Sequence, residues 1–218
     1  MSPPSQSRSA RSAQAHVRLV ASGQAFGDDV ALADGLRRRD PVALATWYDR
    51  FALDVMRVLS RILGPDPQLP DVHHDVFVRA LGSLGTLEDP SALRSWLIAV
   101  TVHTARTVLA RRARGRWLRF LSWRDLPEVQ VTPATAESVE AVRQVYEVLD
   151  ELTADDRLVF ALRYIEGMEL LEVADSCGVS LATVKRRIAR AQGRFLIRAR
   201  RYPALREWLD KEVPDGDG

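Results

Sequence analysis

The chain has 218 residues, 46% of them hydrophobic, and a formal net charge of +2, so it can bury one or two cores while net charge alone defines no partner. Its single cysteine, Cys177, excludes an internal disulfide and an all-cysteine zinc site. No run approaches the roughly 18 apolar residues of a membrane span, and the polar N-terminus lacks the apolar core of a secretory signal; the expectation is a cytoplasmic protein with no membrane association.

Residues 1–28 hold Pro3, Pro4 and several serines with few large apolar side chains, and read as a disordered tail. From Val30 the apolar residues recur at helical steps: Leu32, Leu36, Leu44, Trp47, Tyr48, Phe51, Val55, Val58, Leu59 and Ile62. Asp40-Pro41 breaks the run. Proline suits the first turn of a new helix, and Asp40 suits its cap. Gly64-Pro65-Asp66-Pro67 ends that helix. A third helix is predicted over 69–84, with Val72, Val76, Phe77, Ala80 and Leu81 inward, followed by a loop over 82–90. A fourth is predicted over 91–114 on the stripe Leu93, Trp96, Leu97, Val100, Thr104 and Val108, which puts Trp96 in the core.

Residues 115–136 lose periodicity and read as a linker. Gly115, Pro127 and Pro133 break it, and Trp117, Phe120 and Trp123 are interleaved with arginines. Those aromatics fit a partner contact and the cover of an apolar patch equally well. Helical spacing resumes with Val139, Val142, Val145, Tyr146, Leu149 and Leu152, then Leu158, Val159, Leu162, Tyr164 and Ile165. Thr153 to Asp156 resembles a capped helix start. No stretch alternates with the period of a strand. The predicted fold is all-α: two small helical domains, 29–114 and 137–202, joined by a flexible linker, with a C-terminal tail over 203–218.

Charge is distributed in blocks. Arg106, Arg111, Arg112, Arg114, Arg116, Arg119 and Arg124 follow one another with no acid between them, and so do the cations from Lys185 to Arg206. Acidic residues crowd the stretch between. Two basic regions on one chain point to two anion-binding surfaces. The second has a specific shape. Leu170, Val173 and Ala174 form a short apolar face, Gly178 sits at a turn, and Ser180 is a good cap for a second helix. Val184, Ile188, Ala191 and Phe195 then recur at steps of four, three and four. Thr183, Arg187, Arg190 and Arg194 share a neighbouring stripe, with Arg186 beside it and Lys185 opposite. A short helix, a glycine turn and an arginine-studded second helix form a helix-turn-helix suited to a major groove.

These residues resemble the extracytoplasmic-function (ECF) sigma factors. The segment 152–167, with Leu152, Arg157 and Gly167, resembles the opening of their C-terminal domain. Glu172-Val173-Ala174, Gly178-Val179-Ser180, Thr183-Val184-Lys185, Arg187 and Arg190-Ala191 resemble its helix-turn-helix. Residues 44–50, the run from Asp71 to Phe77, and Arg94-Ser95-Trp96-Leu97 on to Arg111-Arg112 resemble the N-terminal sigma domain. Departures fall at His74-Asp75, where the family usually has Gln-Glu, and at His103 and Thr107, where it often has Asn and Asp. The resemblance implies an RNA polymerase subunit with no catalytic residues and no cofactor. Its implied partners are core RNA polymerase, promoter DNA and an anti-sigma factor. It implies minus-thirty-five contacts by Ser180, Thr183, Lys185, Arg186, Arg187, Arg190 and Arg194. It implies minus-ten contacts by Arg94, His103, Arg106, Arg111 and Arg112, with the loop 82–90 holding flipped bases. Asp71, His74, Asp75 and Arg79 would face the polymerase.

Other chemistry is thinly represented. Asp71, His74 and Asp75 fall on one helix face beside His73, but a metal there would need ligands from elsewhere, so a partner-binding face is the reading. Cys177 reads as a small core residue. No phosphate loop, nucleophile elbow or zinc-protease motif occurs, and no small-molecule substrate is expected. The alternative is a stand-alone helix-turn-helix regulator whose first half senses a ligand or dimerises.

Overall fold

The computed structural model describes residues 26–115 and 136–212, and the regular elements among them are all helical. The expectations for residues 1–25 and for Trp117, Phe120 and Trp123 lie outside the described residues.

The first domain is organised by one long helix. Asp28 starts α1 (Asp29–Arg37), its carboxylate accepting from the Ala31 amide at 2.7 Å. Asp40 does the same for α2 (Pro41–Leu63), accepting from Val42 at 2.8 Å, with Pro41 in the first turn where a missing N–H costs nothing. On α2, Ala43, Trp47, Phe51, Val55, Val58, Leu59 and Ile62 are all buried. Helices α1, α3 (Leu69–Gly82) and α4 (Leu93–Gly115) pack around that stripe. Trp47 meets Phe77 edge-on, ring centroids 4.9 Å apart.

Some boundaries differ from those expected of the sequence. Leu84 and Leu87 are buried, and they draw the segment after α3 onto the core as two single 3-10 turns, Leu84–Thr86 and Pro90–Ala92. Leu81, expected inward, is 41% exposed. Trp96 is half-buried: its indole N–H donates to Thr86 Oγ1 at 3.1 Å, pinning that same segment.

The second domain comprises α5 (Ala136–Asp150), α6 (Ala154–Phe160) continued by a π turn (Ala161–Ile165), α7 (Leu170–Cys177), α8 (Leu181–Ala199) and α9 (Pro203–Glu212). Thr153 caps α6, accepting from the Asp156 amide at 3.2 Å. Tyr146, Leu149, Leu152, Phe160 and Ala191 form a core. Val139 and Val142, expected to share it, are 58% and 51% exposed. Residues 203–212, read as tail, are helical because Leu205 is buried with Val148 and Ala199, and the Ala204 amide donates to Gln144 Oε1 at 3.2 Å.

The domains pack against each other. Helix α4 lies on α6 and α7, and the π turn lies on α2. One cluster of buried side chains includes Trp47, Leu97, Val102 and Leu109 of the first domain with Leu158, Leu162, Val173 and Val184 of the second.

Candidate nucleic-acid interface

Local chemistry fixes the helix-turn-helix. A capping box starts α7, with Glu172 accepting from the Glu169 amide at 2.8 Å. Gly178 ends it with φ +63, a left-handed conformation that costs glycine little. Ser180 caps α8, its Oγ accepting from the Thr183 amide at 3.3 Å. Val184, Ile188 and Ala191 are buried, and Phe195 stacks on Phe160 with centroids 4.8 Å apart. The orientation of α8 is therefore set by its apolar face, and its cations are left to the other side.

Those cations occupy different environments. Lys185 and Arg186 are exposed, with no ion pair among the described residues. Arg190 Nε donates to Asp156 Oδ2 at 2.9 Å, and Arg194 stands 3.5 Å from the same carboxylate. Asp156 has no exposed surface. Burial pushes its carboxyl upward, but hydrogen bonds from Arg190 and Thr153 and the charges of Arg190 and Arg194 win, holding it below the usual carboxylate range. Arg198 pairs with Glu151 at 2.5 Å. Arg187 is turned away from solvent: only 16% of its side chain is exposed, and it donates to Asp155 at 2.8 Å.

The residues expected near the minus-ten element lie along α4 and are largely engaged. Arg94 pairs with Asp54 at 2.8 Å, Arg106 with Asp155 at 2.7 Å, and Arg112 with Asp66. Arg111 is exposed. His103 is exposed beside the turn of the second domain, with Nε2 3.9 Å from where a Gly178 β-carbon would stand.

On α3, Asp71, His74, Asp75 and Arg79 are all exposed on one face, with Asp75 and Arg79 3.9 Å apart. Sequence reasoning alone misses Val78, which stands among them 52% exposed; its signal is an apolar residue four positions after His74 on a polar face. His73 points the other way, its Nε2 2.9 Å from Ala52 O and its ring against Tyr48 and Phe77. Among the described residues no cluster could hold a metal ion, and no helix is long and apolar enough to cross a membrane.

A helix-turn-helix with a free cationic edge, joined to a helical domain whose last helix is basic, defines a DNA-binding transcription protein of two domains. Residues 47–115 match the family described as Sigma-70 region 2, and residues 142–192 match Sigma-70, region 4. The ECF RNA polymerase sigma factor SigX of Bacillus subtilis (strain 168) is 29% identical over 171 residues, 76% of this chain and 87% of that protein. The ECF RNA polymerase sigma-E factor of Escherichia coli (strain K12) is 27% identical over 174 residues, 75% of this chain and 90% of that protein. The solved structure of CnrH in complex with the cytosolic domain of CnrY has the same fold, at TM-score 0.53 and 22% identity, covering 85% of this chain and 99% of the matched one. The chain belongs to the sigma-70 family, in its extracytoplasmic-function group. It is an RNA polymerase sigma factor that directs promoter-specific transcription initiation, and the stand-alone regulator is not favoured.

Proposed function

We propose a residue-level division of that work. The 29–114 domain meets core polymerase through the exposed face of α3: Asp71, His74, Asp75 and Arg79 around Val78. Its α4 cations Arg94, Arg106, Arg111 and Arg112, with His103, serve the melted minus-ten element, mainly as phosphate contacts that carry affinity and salt dependence. The 137–202 domain reads the minus-thirty-five element. Ser180 and Thr183 lie at the capped start of α8, where a docked helix meets base edges and phosphate. Lys185 and Arg186 are the direct readers, because their side chains are exposed with no ion pair among the described residues and a guanidinium can fork onto guanine. Arg190 and Arg194, with side chains 43% and 45% exposed, flank them for phosphate, and Arg187 joins them once released. The chain carries no catalytic step and no cofactor. A protein partner, an anti-sigma factor, is a further expectation, supported by the CnrH relative having been solved with the cytosolic domain of CnrY.

The observation that carries this reading is the exposed pair Lys185 and Arg186 on a helix whose orientation is locked by its buried face. The test is reconstituted holoenzyme on a randomised upstream element. Arg186→Ala should relax base preference there and leave affinity for core unchanged. Asp75→Arg should weaken core binding and leave the preferred sequence unchanged. Wild-type behaviour of both variants in both assays would sink the assignment.

A further inference from the structure

The geometry points to a further contact with the unpaired promoter strand, made by the phosphate-binding pair Arg38 and Arg39 in the turn between α1 and α2. This rests on the reading that the first domain handles the melted minus-ten element.

The turn has an unexpected occupant. Helix α1 closes with the Asp40 amide donating to Gly35 O at 3.0 Å and the Arg39 amide donating to Leu36 O at 3.0 Å. That pair of closing bonds puts Arg39 in the left-handed conformation, a place usually held by glycine. Arg39 has φ +56, and among the described residues it is the one non-glycine residue with positive φ. A β-carbon is strained there, so the arginine lowers stability where glycine would not. The turn has little room to relax, because α1 and α2 touch at its base: a β-carbon built on Gly35 would stand 2.6 Å from Ala43 Cβ. The fold gains nothing from the arginine in return. Its side chain is exposed, as is that of Arg38, and neither has an ion pair among the described residues. Strain retained for a side chain without a structural partner marks a contact outside the chain.

Position selects that contact. Helix α1 packs on the Pro90–Ala92 turn. Arg37, the next residue back, pairs with Asp34 at 3.1 Å and donates from Nη2 to Leu87 O at 3.0 Å. The arginine turn is thereby braced against the loop 82–90, which is assigned to flipped bases. Gly85 and Thr86 are exposed on that loop, with Thr86 held by the Trp96 indole at 3.1 Å. The loop supplies no cation of its own. Glu88 and Asp89 are acidic, and Asp89 is occupied by the Ser91 hydroxyl at 2.7 Å. Bases that leave the stack here bring their phosphates with them, and Arg38 and Arg39 supply unpaired positive charge beside the loop. Long cationic side chains on phosphates add affinity and salt dependence without base preference.

The test uses holoenzyme reconstituted with the full chain and two probes built on a promoter that it transcribes. The first is duplex and ends upstream of the minus-ten element. The second carries in addition an unpaired non-template strand through that element. Arg38→Ala and Arg39→Gly should each lower affinity for the second probe several-fold and reduce its salt slope by about 0.7, the value for one single-strand phosphate. Affinity for the duplex probe and for core should not change. Arg39→Lys keeps the charge and should bind as wild type does. Arg39→Gly should also unfold at a higher guanidinium concentration than wild type, so its weaker binding would come from a more stable chain and not from misfolding. Wild-type binding of the second probe by both variants overturns the proposal. Equal loss on both probes makes the turn a duplex contact, and loss of affinity for core makes it a polymerase contact; either overturns the proposal too. Arg39→Gly no more stable than wild type overturns the argument from the backbone. Wild-type holoenzyme that gains nothing from the unpaired strand overturns the reading beneath the proposal, whatever the variants do.

Discussion

Tyr146 lies directly across Gly64: a β-carbon built on the glycine would stand 2.5 Å from Cδ1 of the tyrosine ring. Gly64 also ends α2 with φ +76, where a side chain is strained whatever the space around it. One residue thus meets two demands, the turn out of α2 and the approach of the second domain. Gly64→Ala should destabilise the chain by about 1 to 3 kcal/mol, the usual cost of a strained backbone, with the ring contact adding to it. Gly85 has no neighbour within 4 Å of its β-carbon position, so Gly85→Ala should stay within about 0.5 kcal/mol of wild type. Guanidinium denaturation of both variants checks the pair.

Because buried side chains of the two domains form one cluster, unfolding of the full chain should be a single cooperative transition. Arg157→Met should break that cooperativity. It leaves the Ile62 and Leu63 carbonyls without their donor and Asp150 without its ion pair, at a cost of about 3 kcal/mol. Calorimetry should resolve two transitions for the variant. One unshifted transition would remove Arg157 from the coupling.

Cys177 should be inert. Burial pushes its thiol up to about 11, against a smaller downward pull from Arg187 and Arg106. Iodoacetamide at pH 8 should leave the native chain unmodified and alkylate it once in denaturant. Rapid alkylation of the native chain would mean that the seam over Cys177 is open in solution.

Asp156 should make the second domain acid-sensitive. Its carboxyl is held below its ordinary value in the folded chain, so its contribution is fully present above the unfolded-state value of about 3.9 and is lost as pH falls through the folded-state value. Asp156→Asn should lower stability at neutral pH and flatten the loss of stability on acidification. Thermal melts across acidic pH measure both effects.

Much of this was legible in the sequence because local chemistry dictated it. Asp40-Pro41, Thr153, Gly178 and Ser180 act within a turn of themselves, and each does what its residue type demands. The stripe Val184, Ile188, Ala191 set the face of α8 by spacing alone. The environments of the arginines were not legible. Arg187 and Arg194 share a stripe in sequence, but Arg187 is turned to Asp155 and Arg194 to Asp156, because the start of α6 comes to them across the fold. Val139 and Val142 have helical spacing, yet the burial falls on Tyr146 and Leu149, because what a helix faces is settled by its neighbours. Helix α9 was missed because Pro203 reads as a terminator as readily as a first turn.

The most direct test of the sigma-factor account is in vitro transcription with homologous core polymerase on genomic fragments, with and without the chain. Core alone should give no discrete start sites. Core with the chain should give a small set of discrete transcripts whose templates share an upstream and a melted element. Core that has bound the chain, verified by co-elution, and still yields no promoter-directed transcript would contradict the account.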